Sequence, residues 1–268
     1  MNSVLMDYVV PKFLIYDCWH YLVMHILLCY LIRAKKMKLT SYNLLGGTLL
    51  CVFGLFSTLV SAGGISLGGT RVVYPLDAKQ TSVSIRNTDD SAIYLVQSWI
   101  EKQDGTRTQD FIVTPPLYTS RPGNENTLRL ISVDASLPQN KESLYYFNVK
   151  AVPSVDKKTR EAGNSSLVVA TVIRVKMFVR PDGLQPVRDK ALQALQFIRK
   201  GAQLEIRNPT PYYLTISQLK AGNHELQNVM VAPKSHESVP LPAGSGNNLS
   251  WRTINDYGGE DKGEGSIQ

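Results

Sequence analysis

Lys176 is the ionisable residue that this sequence makes hardest to place. It stands within residues 167–180, LVVATVIRVKMFVR, where nearly every position up to Arg174 is apolar. An ammonium in such surroundings is costly unless an anion or an acceptor meets it. Elsewhere beyond residue 62 the chain offers little covalent chemistry. His224 and His236 are the imidazoles there, each isolated among polar residues and without the paired spacing that zinc requires. No cysteine follows Cys51, and no phosphate-cradling glycine loop occurs. Carboxylates are present, but spacing along strands cannot pick out a catalytic pair, so a glycosidase has no support. The expectation is a protein that is not an enzyme and uses no metal, no cofactor and no small-molecule substrate.

The elements that must position Lys176 are strands. Residues 82–86 alternate polar and apolar and stop at Asn87-Thr88-Asp89-Asp90; residues 94–100 form a second run, closed by Asp104-Gly105. Residues 111–113 run into Pro115-Pro116, where proline ends ladder pairing. Arg121-Pro122-Gly123 turns the chain into 127–133, and 144–149 precedes the long stretch 167–180. Recurrent turn signals with little helical periodicity before residue 182 describe an all-β sandwich. Residues 182–186, Asp-Gly-Leu-Gln-Pro, form a polar hinge. Past it, 190–198 could make a short helical turn, and strands resume at 202–207, 212–219, 229–232, 237–241 and 249–254. The glycine-rich end, 258–266, reads as a frayed tail. The expected fold is all-β, with one sandwich domain over 63–181 and a smaller one over 187–268.

Residues 37–62 have the build of a secretory signal peptide: Lys38, an apolar stretch over 44–60, then Ser61 and Ala62. Cleavage after Ala62 is expected. A retained membrane anchor is the alternative, disfavoured by Gly46, Gly47 and Gly54. Residues 1–36 hold a short apolar stretch at 18–32 and then Arg33, Lys35 and Lys36. A true start at Met37 is expected, with a short membrane segment as the other reading. All three cysteines, Cys18, Cys29 and Cys51, fall within this leader. The exported part must therefore hold together through its sheet cores, without disulfides. The composition is that of a globular protein, 43% apolar and 19% charged. Residues 1–62 carry five Lys/Arg and two Asp/Glu, so three of the seven net positive charges leave with them. What remains is mild and scattered, which argues against nucleic acid as a partner.

Residues 167–180 are longer than an ordinary strand of about five or six residues. A sandwich strand normally alternates, since one face meets water. Apolar residues on both faces mean either full burial or a surface kept for a partner. Periodicity leaves both readings open; the sharper one is an edge that another chain joins by strand addition.

Seven stretches stand out in order: GTRVVYP (69–75), TPPL (114–117), PG (122–123), ESLYYFN (142–148), RVKMFVRP (174–181), NPTPYY (208–213) and INDYG (254–258). Taken together, they resemble the PapD-like periplasmic chaperones of chaperone–usher pili. The resemblance implies two immunoglobulin-like β-sandwich domains in an L-shaped arrangement behind a cleavable signal peptide, and a periplasmic location. It implies a chaperone that binds, folds and caps pilus (fimbrial) subunits by donor-strand complementation and delivers them to an outer-membrane usher. By position, Arg71 and Lys176 match the basic pair that holds the subunit's C-terminal carboxylate. Leu167, Val169 and Thr171 match the side chains donated into the subunit's incomplete core, although a bulky aliphatic is usual where Thr171 stands. Glu142, Arg180 and Asp256 match a charged trio that fixes the angle between domains. The short loop before the long strand and the lack of a cysteine pair there resemble the short-loop branch of the family. One conflict remains. Lys176 is even-numbered and the donor residues are odd, so a regular strand sets them on opposite faces. Either a bulge intervenes or the carboxylate approaches from the other side. The rival from a different class is a secreted two-sandwich adhesion or carbohydrate-binding module, which predicts aromatic residues clustered on exposed loops.

Overall fold

The computed structural model describes residues 63–133, 136–154 and 167–268. The expected signal peptide (37–62), the extension 1–36 and most of the loop before the long strand lie outside the described residues. The first half contains β1 (Ile65–Leu67), β2 (Arg71–Pro75), β3 (Gln80–Asn87), β4 (Tyr94–Glu101) and β5 (Phe111–Thr114). It continues with β6 (Leu117–Ser120), β7 (Glu125–Ser132), β8 (Ser143–Pro153) and β9 (Thr171–Arg180). These strands form two sheets, in the orders β1-β3-β7-β5 and β2-β9-β8-β4-β6. Alternation explains the packing. Val83 and Ile85 of β3 and Leu128 and Leu130 of β7 point inward, where they meet Val96, Phe147, Val149 and Met177 of the facing sheet. Tyr74 and Tyr145 flank Phe111 edge-on, with ring centres 5.2 and 5.1 Å away. The chain changes sheet across residues 68–70, between β1 and β2, and that switch sets where β2 begins alongside β9.

The second half opens with a 3-10 helix (Arg188–Ala194). Then come β10 (Gln196–Lys200), β11 (Gln203–Asn208), β12 (Leu214–Ala221), β13 (His224–Glu225), β14 (Val229–Val231), β15 (Ser235–Pro240), β16 (Asn248–Ile254) and β17 (Glu260–Ser266). One sheet runs β10-β11-β15; the other runs β13-β12-β16-β17, with β14 also beside β12. Leu204, Ile206, Leu214, Ile216, Leu219 and Trp251 fill a core separate from that of the first half.

Two expectations need correcting. The long strand begins at Thr171, and residues 167–170 lie outside any strand. The β8–β9 ladder stops at Ala151↔Thr171, and two residues further along β8 stands Pro153, which has no N–H to offer. The glycine-rich end is not a frayed tail. It is β17, paired with β16 from Asn248↔Ser266 to Ile254↔Glu260. Its glycines make room for an indole: a Cβ on Gly263 would lie 2.4 Å from Trp251 Cε2, and one on Gly265 3.3 Å from Cη2. A composition typical of disorder is here a packing requirement.

Candidate functional site

β9 is paired with β8 from Thr171 to Val179, but with β2 only from Lys176 to Arg180. Among the described residues, positions 171–175 therefore have no neighbour on the β2 side, and their outward N–H and C=O groups are left for a partner. Residues 167–170 lead into that edge from outside the strand, and Leu167, Val169 and Val172 are 90%, 65% and 52% exposed. An apolar, unpaired edge is a template for strand pairing.

The ladders on both sides of β9 run without a register shift, so no bulge intervenes. Met177 and Val179 belong to the core of the first domain, with Ile173 and Val175 packed against it. Of the even-numbered residues, Arg174 meets Glu101 and Tyr146 of its own domain, whereas Lys176, Phe178 and Arg180 face the second domain. Lys176 Nζ donates to Thr215 Oγ1 at 3.2 Å, the Phe178 ring lies 5.8 Å from that of Tyr213, and Arg180 reaches Asp256. Alternation puts Thr171 on the core-facing side, as it would Val169 and Leu167 in a continued strand. The odd and even sets thus occupy opposite faces of one regular strand.

Arg71 is the direct cross-strand neighbour of Lys176. Its Nη1 donates to the carbonyl of Ile254 at 3.1 Å, while its buried Nε has no partner. Neither cation has a carboxylate within 4 Å among the described residues. Burial lowers the Lys176 pKa from its ordinary value, and the charge of Arg71 lowers it further. Burial likewise depresses Arg71, followed by the charge of Arg188. The charges of Asp256 and Glu142 offset only part of the effect on Arg71, so two half-buried cations are held side by side with no carboxylate in contact, an arrangement that an incoming anion would relieve.

Behind them, Arg180 joins the two domains. Its Nε donates to Glu142 Oε1 at 2.7 Å, and Nη1 and Nη2 donate to the two oxygens of Asp256 at 2.7 and 2.8 Å. Glu142, 3% exposed, also accepts the Tyr213 N–H at 2.8 Å. Burial keeps the Glu142 carboxyl above its ordinary value, with Arg180 offsetting only part of the effect. For Asp256 burial is the largest single influence and acts upward, but the hydrogen bonds and charge of Arg180, joined by the charges of Arg188 and Arg71, together outweigh it and leave the carboxyl below its ordinary value.

The structure thus brings Arg71 beside Lys176 and gathers Glu142, Arg180 and Asp256 into one cluster. It places 167, 169 and 171 on or beyond the start of β9. Sequence reasoning missed Arg188, whose side chain is 9% exposed and shares both the Ile254 carbonyl and the neighbourhood of Asp256. It also missed Thr215 and Tyr213, which meet β9 from the second domain. A Gly-x-Ser-x-Gly run does occur at 64–68, the spacing of a hydrolase nucleophile turn. Its Ser66 sits in β1 with the hydroxyl donated to the Arg86 carbonyl at 3.3 Å, a strand setting rather than a strand-to-helix turn.

Comparison with known proteins agrees with this geometry. Residues 64–185 match the family model "Pili and flagellar-assembly chaperone, PapD N-terminal domain", and residues 190–265 match "Pili assembly chaperone PapD, C-terminal domain". The chaperone protein FimC of Escherichia coli O6:H1 is 41% identical over 232 residues, which cover 85% of this chain and 93% of that protein. The crystal structure of the periplasmic chaperone SfaE superposes with a TM-score of 0.66 at 40% identity, covering 76% of this chain and 99% of SfaE. The SafB chaperone of Salmonella enterica, solved in complex with the SafA pilin, gives a TM-score of 0.67 at 26% identity, over 77% of this chain and 98% of the other. This chain belongs to the PapD-like pilus-assembly chaperones.

Proposed function

We propose that this chain is a periplasmic chaperone that captures a pilus subunit by accepting the subunit's terminal strand on the open edge of β9, then passes it to an outer-membrane usher. The observation that carries this reading is where that edge ends. β2 runs parallel to β9 and occupies the same side from Lys176 onward. A strand that lies along 167–175 in the direction of β2 finishes where β2 begins, against Arg71 and Lys176. Its last group is then an α-carboxylate meeting two cations that have no carboxylate in contact, which sets the register of the added strand. The reverse orientation would place an α-ammonium there and be repelled.

In this reading Leu167, Val169 and Thr171 lie on the face continuous with the chaperone's own core, so they fill the groove left by the subunit's missing strand. Glu142, Arg180 and Asp256 orient the domains, taken as 63–181 and 187–268, so that the edge and the second domain meet the subunit together. No covalent step is needed; release follows when a strand of better fit displaces β9. The family match leaves the adhesion or carbohydrate-binding alternative without support.

The test is co-expression with a fimbrial subunit that the wild-type chain captures. Arg71→Ala and Lys176→Ala should each remain soluble and lose co-purification of the subunit. Full capture by either variant would overturn the carboxylate anchor.

A further inference from the structure

Four cations lie close together at the junction of the two domains: Arg71, Lys176, Arg180 and Arg188. The anchor and trio roles account for three of them. Arg188, the first residue of the 3-10 helix after the hinge, is nine-tenths buried and belongs to neither set. Its Nη2 donates to the Ile254 carbonyl at 3.2 Å, the same oxygen that receives Arg71 Nη1 at 3.1 Å. Its Nε stands 3.9 Å from Asp256 Oδ1, which already accepts from Arg180. Its guanidinium lies over the Tyr212 ring, 5.9 Å from the centre, next to that of Arg180 at 5.3 Å. All of its partners belong to the second domain, and two of them, Ile254 and Asp256, are what the first domain grips.

The turn after β16 therefore has two sides. Toward the first domain it offers the Ile254 carbonyl to Arg71, the Asp256 carboxylate to Arg180, and Gly258 to Thr70. There is no room for a side chain at that last contact, since a Cβ on Gly258 would lie 2.4 Å from Thr70 Oγ1. On the other side the turn is held by Arg188. A part-buried carbonyl shared by two guanidinium groups is held at two points, and the Arg71 fork is aimed by the acceptor it keeps. We infer that Arg188 is a positioning residue of the anchor: it fixes the Ile254 carbonyl and Asp256, and through them aims Arg71 at the subunit's terminal carboxylate. The role is indirect, because Arg188 lies behind Arg71 and too deep to touch the subunit.

This inference rests on the carboxylate-anchor reading, and its test separates the two. The probes are labelled peptides copying the last twelve residues of a fimbrial subunit that the wild-type chain captures, one with a free C-terminal acid and one with a C-terminal amide. Their affinities for the full chain give an acid-to-amide ratio, which isolates carboxylate recognition from strand pairing. The wild-type chain should prefer the acid by about tenfold or more, as expected for charge-assisted bonds. Arg71→Ala should abolish that preference. Arg188→Gln should lower the ratio by about fivefold while leaving amide binding unchanged. A merely structural role for Arg188 would weaken both peptides alike. Arg188→Lys keeps the charge but cannot serve both acceptors, so it should recover less than half of the lost ratio, and it carries the same test should the Gln variant fold poorly. An unchanged ratio in Arg188→Gln or, failing that, Arg188→Lys, beside a lost ratio in Arg71→Ala, overturns the inference alone. No acid preference in the wild-type chain overturns the anchor itself.

Discussion

Replacing Arg180 by Met removes three charge-assisted hydrogen bonds, of 2.7, 2.7 and 2.8 Å, from the contact between the domains. Met keeps much of the side-chain volume, so the change is chiefly one of charge. Glu142 is left worst off. Its side chain is 1% exposed, and the one hydrogen bond it retains is from the Tyr213 N–H. Breaking a buried ion pair by deleting one partner costs about 3–5 kcal/mol. Asp256 contributes little to that loss, because its side chain is 26% exposed and Arg188 remains 3.9 Å away. At about 2–4 °C per kcal/mol for a protein of this size, the unfolding midpoint should fall by about 6–20 °C. Calorimetry and urea unfolding of the wild type, Arg180→Met, Glu142→Gln and the double variant close a double-mutant cycle. The double variant should recover most of the loss, since Gln accepts the Tyr213 N–H without a charge to neutralise. The pH dependence has a definite sign. Burial raises the Glu142 carboxyl above 4.5, and losing Arg180 raises it further. Between the unfolded and folded values the native state holds more protons, so this group costs stability as pH rises through that window. The deficit of Arg180→Met should therefore shrink on acidification toward 4.5. A loss below about 1 kcal/mol, or a deficit equal at acid and neutral pH, would refute the reasoning.

Two further outcomes are expected. The Lys176 ammonium is depressed below 10.5 by burial and by Arg71, and a bound carboxylate should restore it, so capture takes up protons on the alkaline side. Subunit affinity measured from about pH 7 to 10.5 should fall toward the alkaline end, whereas Lys176→Arg, charged throughout, should flatten the profile; equal profiles would remove Lys176 from the anchor. Gly263→Ala should destabilise the second domain by about 1–3 kcal/mol in urea unfolding, because the new methyl meets Trp251 and the indole is backed by Phe197 at 4.4 Å. The smaller ring of Trp251→Phe in the double variant should return most of that loss.

Strands whose side chains alternate could be read from residue type. β3, β4 and β7 each bury one face and expose the other, and the expected runs fall within or overlap them. The short β1 and β6 left no periodic trace, because three or four residues do not establish a period. β17 was hidden for a different reason: its glycines are demanded by Trp251 across the ladder, a tertiary fact that a local composition cannot carry. The site divides the same way. The length and apolar character of 167–180 marked the strand, but nothing in spacing joins Arg71 to Lys176, since their contact depends on a parallel pairing between distant segments. Family resemblance supplied those two positions, along with Glu142, Arg180 and Asp256. Arg188 had no such help. It is a basic residue beside a polar hinge, indistinguishable from a solvated one until the Ile254 carbonyl is seen between it and Arg71.

On the proposed reading, the change of face along β9, a conflict when read from numbering, follows from what the two ends must do. An added strand lies in the plane of the sheet, so its terminal carboxylate can be reached from either face, whereas its side chains and those of 167–171 cannot change sides. The core-facing side has to be apolar to complete the subunit's interior. On that side the neighbouring positions are Val175, packed against the core, and Met177, fully buried. A lysine at either would bury an ammonium among aliphatic groups, with no hydroxyl to replace Thr215 and no second cation beside it to share the carboxylate. Placing the cation one residue away puts it on the face toward the second domain, where Thr215 and the Ile254 carbonyl supply polar partners for Lys176 and Arg71. If 167–171 donate and Arg71 and Lys176 anchor, as proposed, opposite faces are what a single regular strand must adopt to complete an apolar core and bind a charged terminus at once.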